Sequence, residues 1–198
     1  MKQISFIALA VTLVTPVFGA DAVTRLNARA AELYRQGNFT AARDISEKVV
    51  TLAEKEHGPQ HLQVATALNN LATLQLLTGR ETEAEPIYRR ALTIREAALG
   101  PDHPRVATSC NNLAELYRVQ GRWAQAEPLY QRALRICEAD PAASPSLLAT
   151  VLDNLGQYHR ARGQYDQAES FARRALELYE RSGGPAGPDV GRSLISVA

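Results

Sequence analysis

Four histidines and two cysteines carry the metal-ligating and thiol chemistry of this 198-residue chain: His57, His61, His103, His159, Cys110 and Cys137. His57 and His61 stand four apart, a spacing at which two imidazoles on one helix share a metal. Gly58 and Pro59 lie between them, however, and interrupt such a helix. His61 and His103 are 42 residues apart in loops of similar text, whereas His159 takes a position filled elsewhere by Tyr117 and Gln75. A residue that recurs in phase is better explained by architecture than by catalysis, so the histidines read as structural. No glycine-rich phosphate loop, Cys-x-x-Cys pair or nucleophile elbow occurs in the chain. The expectation is a protein that is not an enzyme and needs no metal or cofactor.

The elements that hold these residues are set by a period. Gly37, Gly79, Gly121 and Gly163 are each 42 apart, as are Ala42, Ala84, Ala126 and Ala168. Four windows of 42 residues tile the chain at 23–64, 65–106, 107–148 and 149–190. In the third, Cys110, Leu113, Ala114 and Tyr117 fall at i, i+3, i+4 and i+7, one apolar stripe of a helix ending near Gly121. Trp123, Ala126, Leu129, Tyr130, Ala133 and Leu134 mark a second helix, and the tight turn between them folds the two antiparallel. Ala72, Ala114 and Gly156 on first helices, with Ala84, Ala91 and their equivalents on second helices, permit close approach. Neither helix buries its stripe alone, so stacked pairs must share one core. Gly and Pro in "LGPDHP" stop the second helix and place Pro104 at the start of the next, while Pro86 and Pro128, early in second helices, are expected to bend them slightly.

Leu113, Ala114 and Tyr117 followed by Gly121, Trp123, Ala126, Tyr130 and Ala133 resemble a tetratricopeptide repeat. The 42-residue spacing with "LNNLA", "EAEPIYRRALTIRE" and "LGPDHP" is similar to the kinesin-light-chain subtype. The resemblance covers residues 23–190 and implies an all-α, right-handed superhelical solenoid of antiparallel helix pairs; armadillo repeats share the period but need three helices per unit. Window 23–64 is divergent: Arg29 replaces the leucine of Leu71, Leu113 and Leu155, and Val49 replaces an alanine. Residues 191–198 keep register, Leu194 standing 42 after Leu152, and read as a cap or the start of a further helix.

In such repeats the first helices line the concave side, which implies a polar groove here. If Leu68, Leu71 and Ala72 face the core, the opposite face carries Asn69, Asn70 and Thr73; then Asn111, Asn112, Glu115 and Arg118; then Asp153, Asn154, Gln157 and Arg160. An Asn amide both donates and accepts, so it pairs with the backbone of an extended peptide, and arginine adds attraction for carboxylates. The alternative is that these asparagines bond the neighbouring repeat and set the superhelical pitch. For Cys110 and Cys137, both in window 107–148 and on opposite helices, a disulfide, two buried thiols, and a metal or redox site all remain open.

Lys+Arg (22) and Asp+Glu (21) nearly cancel, so no global field draws the chain to nucleic acid or acidic lipid. With 45% hydrophobic and 22% charged residues it is neither a disordered tail nor a membrane bundle. Residues 1–22 differ: Lys2 is the only charge before Asp21, and an apolar stretch precedes Pro16 and small residues. That is the pattern of a cleavable signal peptide with cleavage after Gly19, Ala20 or Ala22, against an uncleaved anchor. The expected product is exported, periplasmic if bacterial and otherwise secreted, monomeric alone, with no membrane insertion of the mature chain. The leading reading is a scaffold or adaptor gripping a protein or peptide on its concave face. The alternative is a component of an envelope or secretion assembly that docks through its convex face or C-terminal helix.

Overall fold

The computed structural model describes residues 22–139 and 145–183. Among them lie eight α-helices and no strand: α1 (Ala22–Arg35), α2 (Phe39–His57), α3 (Leu62–Leu77), α4 (Glu81–Leu99), α5 (Pro104–Val119), α6 (Trp123–Ala139), α7 (Pro145–Ala161) and α8 (Tyr165–Gly183). Odd-numbered helices are first helices and even-numbered ones second helices of successive pairs. The signal-peptide segment before residue 22 and the tail at 191–198 lie outside the described residues. No helix among the described residues is long and apolar enough to cross a membrane.

The phased glycines explain where first helices stop. At Gly121 the backbone turns left-handed (φ 71°), the Gly121 N–H bonds the Arg118 carbonyl at 3.0 Å, and the Arg122 N–H bonds the Tyr117 carbonyl at 2.8 Å. This pair of bonds satisfies carbonyls that the helix end would otherwise leave bare, and its left-handed residue favours glycine. The same two bonds recur at Gly37, Gly79 and Gly163. A single chemical device, repeated every 42 residues, makes four hairpins.

Two of the first helices also share a way of starting. His103 stands in extended conformation before α5, and its Nδ1 accepts the Arg105 N–H at 3.0 Å; His61 does the same for Gln63 before α3 at 3.2 Å. The imidazole thus takes the place that Ser, Asp or Asn usually fills at a helix N-cap. Pro104 sits at the first helical position of α5, where its missing N–H costs nothing. Both α4 and α6 continue through Pro86 and Pro128. The sequence windows begin inside first helices, because α3, α5 and α7 start at Leu62, Pro104 and Pro145 rather than at 65, 107 and 149. Text similarity was strongest along the apolar stripe, while the helix start is set by the cap upstream of it.

The chain divides at Pro101/Asp102 into two compact units, α1–α4 and α5–α8. In the first, Val49, Ala53, Val64, Leu68, Leu71 and Ile94 form the centre of a buried core. Each buried Leu or Ile of that kind contributes about 1.5–3 kcal/mol relative to exposure. Arg90 of α4 reaches back to Glu54 of α2 at 2.6 Å and to the Pro59 carbonyl at 3.1 Å. In the second unit, Ala126, Tyr130 and Ala133 of α6 are buried, and Tyr158 of α7 packs edge-on against Trp123 and Tyr130 at 5.8 and 5.7 Å. Arg174 of α8 pairs with Glu138 of α6 at 2.6 Å, the same 36-residue link as Arg90 to Glu54. At Gly156 α7 runs close to α8: a Cβ there would lie 3.3 Å from the Ala168 carbonyl oxygen.

Candidate functional site

Each first helix carries a candidate face of its own, at positions 27, 28, 31 and 34 of α1 and at their equivalents 42, 84 and 126 residues on. Of the eleven residues expected to line a groove, seven are buried: Asn69, Thr73, Asn111, Asn112, Glu115, Asp153 and Asn154. Asn70, Arg118 and Gln157 are half-buried, and Arg160 is exposed. A two-faced helical wheel cannot foresee this. A first helix in a stacked array meets its own partner and also a first helix of an adjacent pair, as α5 meets both α6 and α7.

In the first unit, Thr73 of α3 donates to the Asn69 carbonyl at 2.9 Å, and its hydroxyl lies 3.0 Å from the Tyr88 hydroxyl of α4. In the second unit the equivalent positions hold a charged version of the same link. Tyr130 of α6 donates to a Glu115 carboxylate oxygen at 2.7 Å, and Arg118, one turn along α5, grips both Glu115 oxygens at 2.6 and 2.7 Å. Glu115 is only 2% exposed, so the forked arginine and the phenol together replace its water. Burial first, and then the neighbouring Glu115 charge, raise the Tyr130 pKa well above that of an ordinary phenol. For Arg118 burial opposes the charge, but hydrogen bonding and charge pairing with Glu115 outweigh it and hold the guanidinium protonated.

The asparagines bond one another. The Asn154 amide of α7 donates to the Asn111 oxygen of α5 at 3.0 Å, and the Asn111 amide lies 3.4 Å from the Asn112 oxygen. Gln157 donates to Asp153 at 2.9 Å. At Asn111 and Asn154, then, the geometry is that of a link between repeats.

His159 is buried in unit two, its Nδ1 2.9 Å from Gln164 and its ring stacked on Phe171 at 5.3 Å. His57 and His61 stack at 4.9 Å, with His61 Nδ1 already committed to the α3 cap. Among the described residues no three His, Cys, Asp or Glu side chains are grouped to hold a metal. Cys110 and Cys137 are both buried thiols, and burial, followed by the charge of Glu138, pushes the Cys137 thiol up to about 11. The second helices also contribute to this face, through Tyr88 and Tyr130. Tyr88 and Tyr130 are 42 apart, and their phase with Thr73 and Glu115 was the available signal.

A family model described as a tetratricopeptide repeat matches residues 21–97, 78–139 and 147–198. Among solved structures, BtubC (BKLC) from P. vanneervenii is similar with a TM-score of 0.72 at 24% identity, over 88% of this chain and 70% of that one. A Podosopora anserina protein titled as a kinesin light chain with nearly identical TPR-like repeats gives a TM-score of 0.68 at 21% identity, over 90% of this chain and 86% of that one. At these identities the likeness is one of fold. No curated protein matches the chain.

Proposed function

This chain belongs to the tetratricopeptide repeat family, and from that premise we propose that it is a non-enzymatic scaffold gripping an extended protein segment on its first-helix face. Repeats of this family generally mediate protein–protein interaction and are generally non-catalytic. The observation that carries the reading is the set of polar side chains still open to solvent on the first helices of each unit taken by itself: Asn70 on α3 in the first, and Arg118 at the end of α5 with Gln157 and Arg160 on α7 in the second. These side chains are amides and guanidinium groups, suited to peptide backbone and to carboxylates. The buried Asn111 and Asn154, bonded to each other between repeats, are not assigned to the ligand.

The test is crosslinked capture from the native compartment, comparing wild type with Asn70→Ala/Arg160→Ala. A partner held through this face is lost from the double variant while helical circular dichroism is unchanged. A partner retained at wild-type yield counts against the assignment. We also propose export, on the strength of residues 1–22, with a monomeric mature chain. N-terminal sequencing after cell fractionation should begin at residue 20, 21 or 23; an internal chain still beginning at Met1 overturns it.

A further inference from the structure

The first pair of helices departs from the second and third at two positions that meet across it. Where the second and third pairs carry Thr73 with Tyr88 and Glu115 with Tyr130, the first carries Ala31 and Ser46. The tyrosine that crosses from second helix to first in those two pairs is therefore missing, together with its acceptor; the fourth pair, with Gln157 and Ala172, lacks it too. The room left behind is a niche of about 20 Å³ between α1, α2 and α3, lined chiefly by Asn27, Ala31, Tyr34, Ser46, Asn70 and Leu74. It seats about one water-sized group, a methyl or a hydroxyl.

Its polar atoms are arranged unlike those of the second unit. Ser46 is 3% exposed and lines the niche from α2. Among the described residues no hydrogen bond engages the side chains of Asn27, Ser46 or Asn70. One and two repeats further on, Asn111, Asn112 and Asn154 already bond one another, and Tyr130 bonds Glu115. A ligand recruiting those groups must first break existing bonds, whereas the niche offers two carboxamides and a hydroxyl with capacity to spare. No charged side chain lines it, so a charged ligand group would lose its water without gaining a partner.

We propose that this niche is the side-chain specificity subsite of the first-helix face, taking a small uncharged residue (Ala, Ser or Thr) of an extended peptide whose backbone amide pairs with Asn27 and Asn70. The assignment rests on the peptide-binding reading above and localises it to α1–α3. Ala31 and Leu74 contact the methyl or methylene of the entering side chain, and Ser46 meets a hydroxyl where one is present.

The test uses the full chain and a phage-displayed library of random dodecapeptides, with recovered peptides resynthesised and their Kd measured by fluorescence anisotropy. The expected result is a motif with one position restricted to Ala, Ser or Thr. Binding should weaken at least tenfold in Ala31→Thr/Ser46→Tyr, which transplants the Thr73–Tyr88 link into the first pair, and stay within about twofold in Arg174→Ala on α8. Asn27→Ala/Asn70→Ala carries the same tenfold expectation should the niche-filled variant fail to fold. Peptides that bind the niche-filled and double-Asn variants as tightly as wild type, but lose affinity in Arg118→Ala/Arg160→Ala, overturn the subsite while the scaffold reading stands. A library that yields no binder overturns both.

Discussion

Glu115 shows how much one buried carboxylate decides. Removing one partner of a buried ion pair leaves the rest uncompensated and costs about 3 kcal/mol, so Glu115→Ala should lower the urea midpoint sharply. Glu115→Thr should cost clearly less, since it recreates the Thr73–Tyr88 bond and Arg118, 15% exposed, can turn to water. Equal losses in the two variants would show that the hydroxyl link does not form. Cys137 gives a pH signature. A thiol whose pKa is raised by folding keeps its proton where the unfolded chain has lost it, so stability is complete below the unfolded value and falls as pH climbs towards the folded one. From about 9 to about 11 this should remove roughly 2 kcal/mol. The raised Tyr130 phenol acts in the same direction above its ordinary value of 10. Urea midpoints at pH 8, 9 and 10.5 should fall in order, and Cys137→Ala should flatten the first part of the decline. Thiol titration should find two reactive groups, both only after unfolding. At this scale the sequence was legible in identity but not in direction: the Asn positions and both their readings, ligand or neighbouring repeat, stood open, and the choice depends on a neighbouring helix that no single wheel contains.

At the scale of elements, helix ends are chemical devices and can be tested one at a time. His103→Ala should cost about 1 kcal/mol through the lost α5 cap, and His103→Asn should restore it. A histidine whose role were in the loop rather than the cap would not be rescued by Asn. Gly156→Ala adds a better helix former, worth about 1 kcal/mol, yet places Cβ 3.3 Å from a backbone oxygen of α8 that cannot rotate away. The expected outcome is a net loss of about 1 kcal/mol from overpacking, read as a lower Tm. Two helices per period, their hairpin turns and the stopping glycines were readable from residue types alone, because left-handed turns and apolar stripes are local. The use of His61 and His103 as caps was not, since imidazole is an uncommon choice there and only its phase hinted at a structural task.

For the whole molecule, division into α1–α4 and α5–α8 means that damage should stay where it is made. In arrays whose stability is a sum of local and nearest-neighbour terms, a lesion lowers its own block first. Hydrogen exchange on Glu115→Ala should show amides of α5–α8 losing protection before those of α1 and α2. Uniform loss would mean that the two units unfold as one.

The helix-ending devices have a further consequence for how such a chain can change length. Every stop at a phased glycine and every start at a phased histidine lies inside one period, so the 42-residue block carries its own punctuation. Excising residues 62–103 would join His61 directly to Pro104, recreating the junction that His103 and Pro104 form now. An excision of half a period would instead strand a stop without a start. Duplication and loss in this chain are therefore quantised: whole blocks are copied or dropped with their reading frame of helices intact, and anything between is unreadable to the fold.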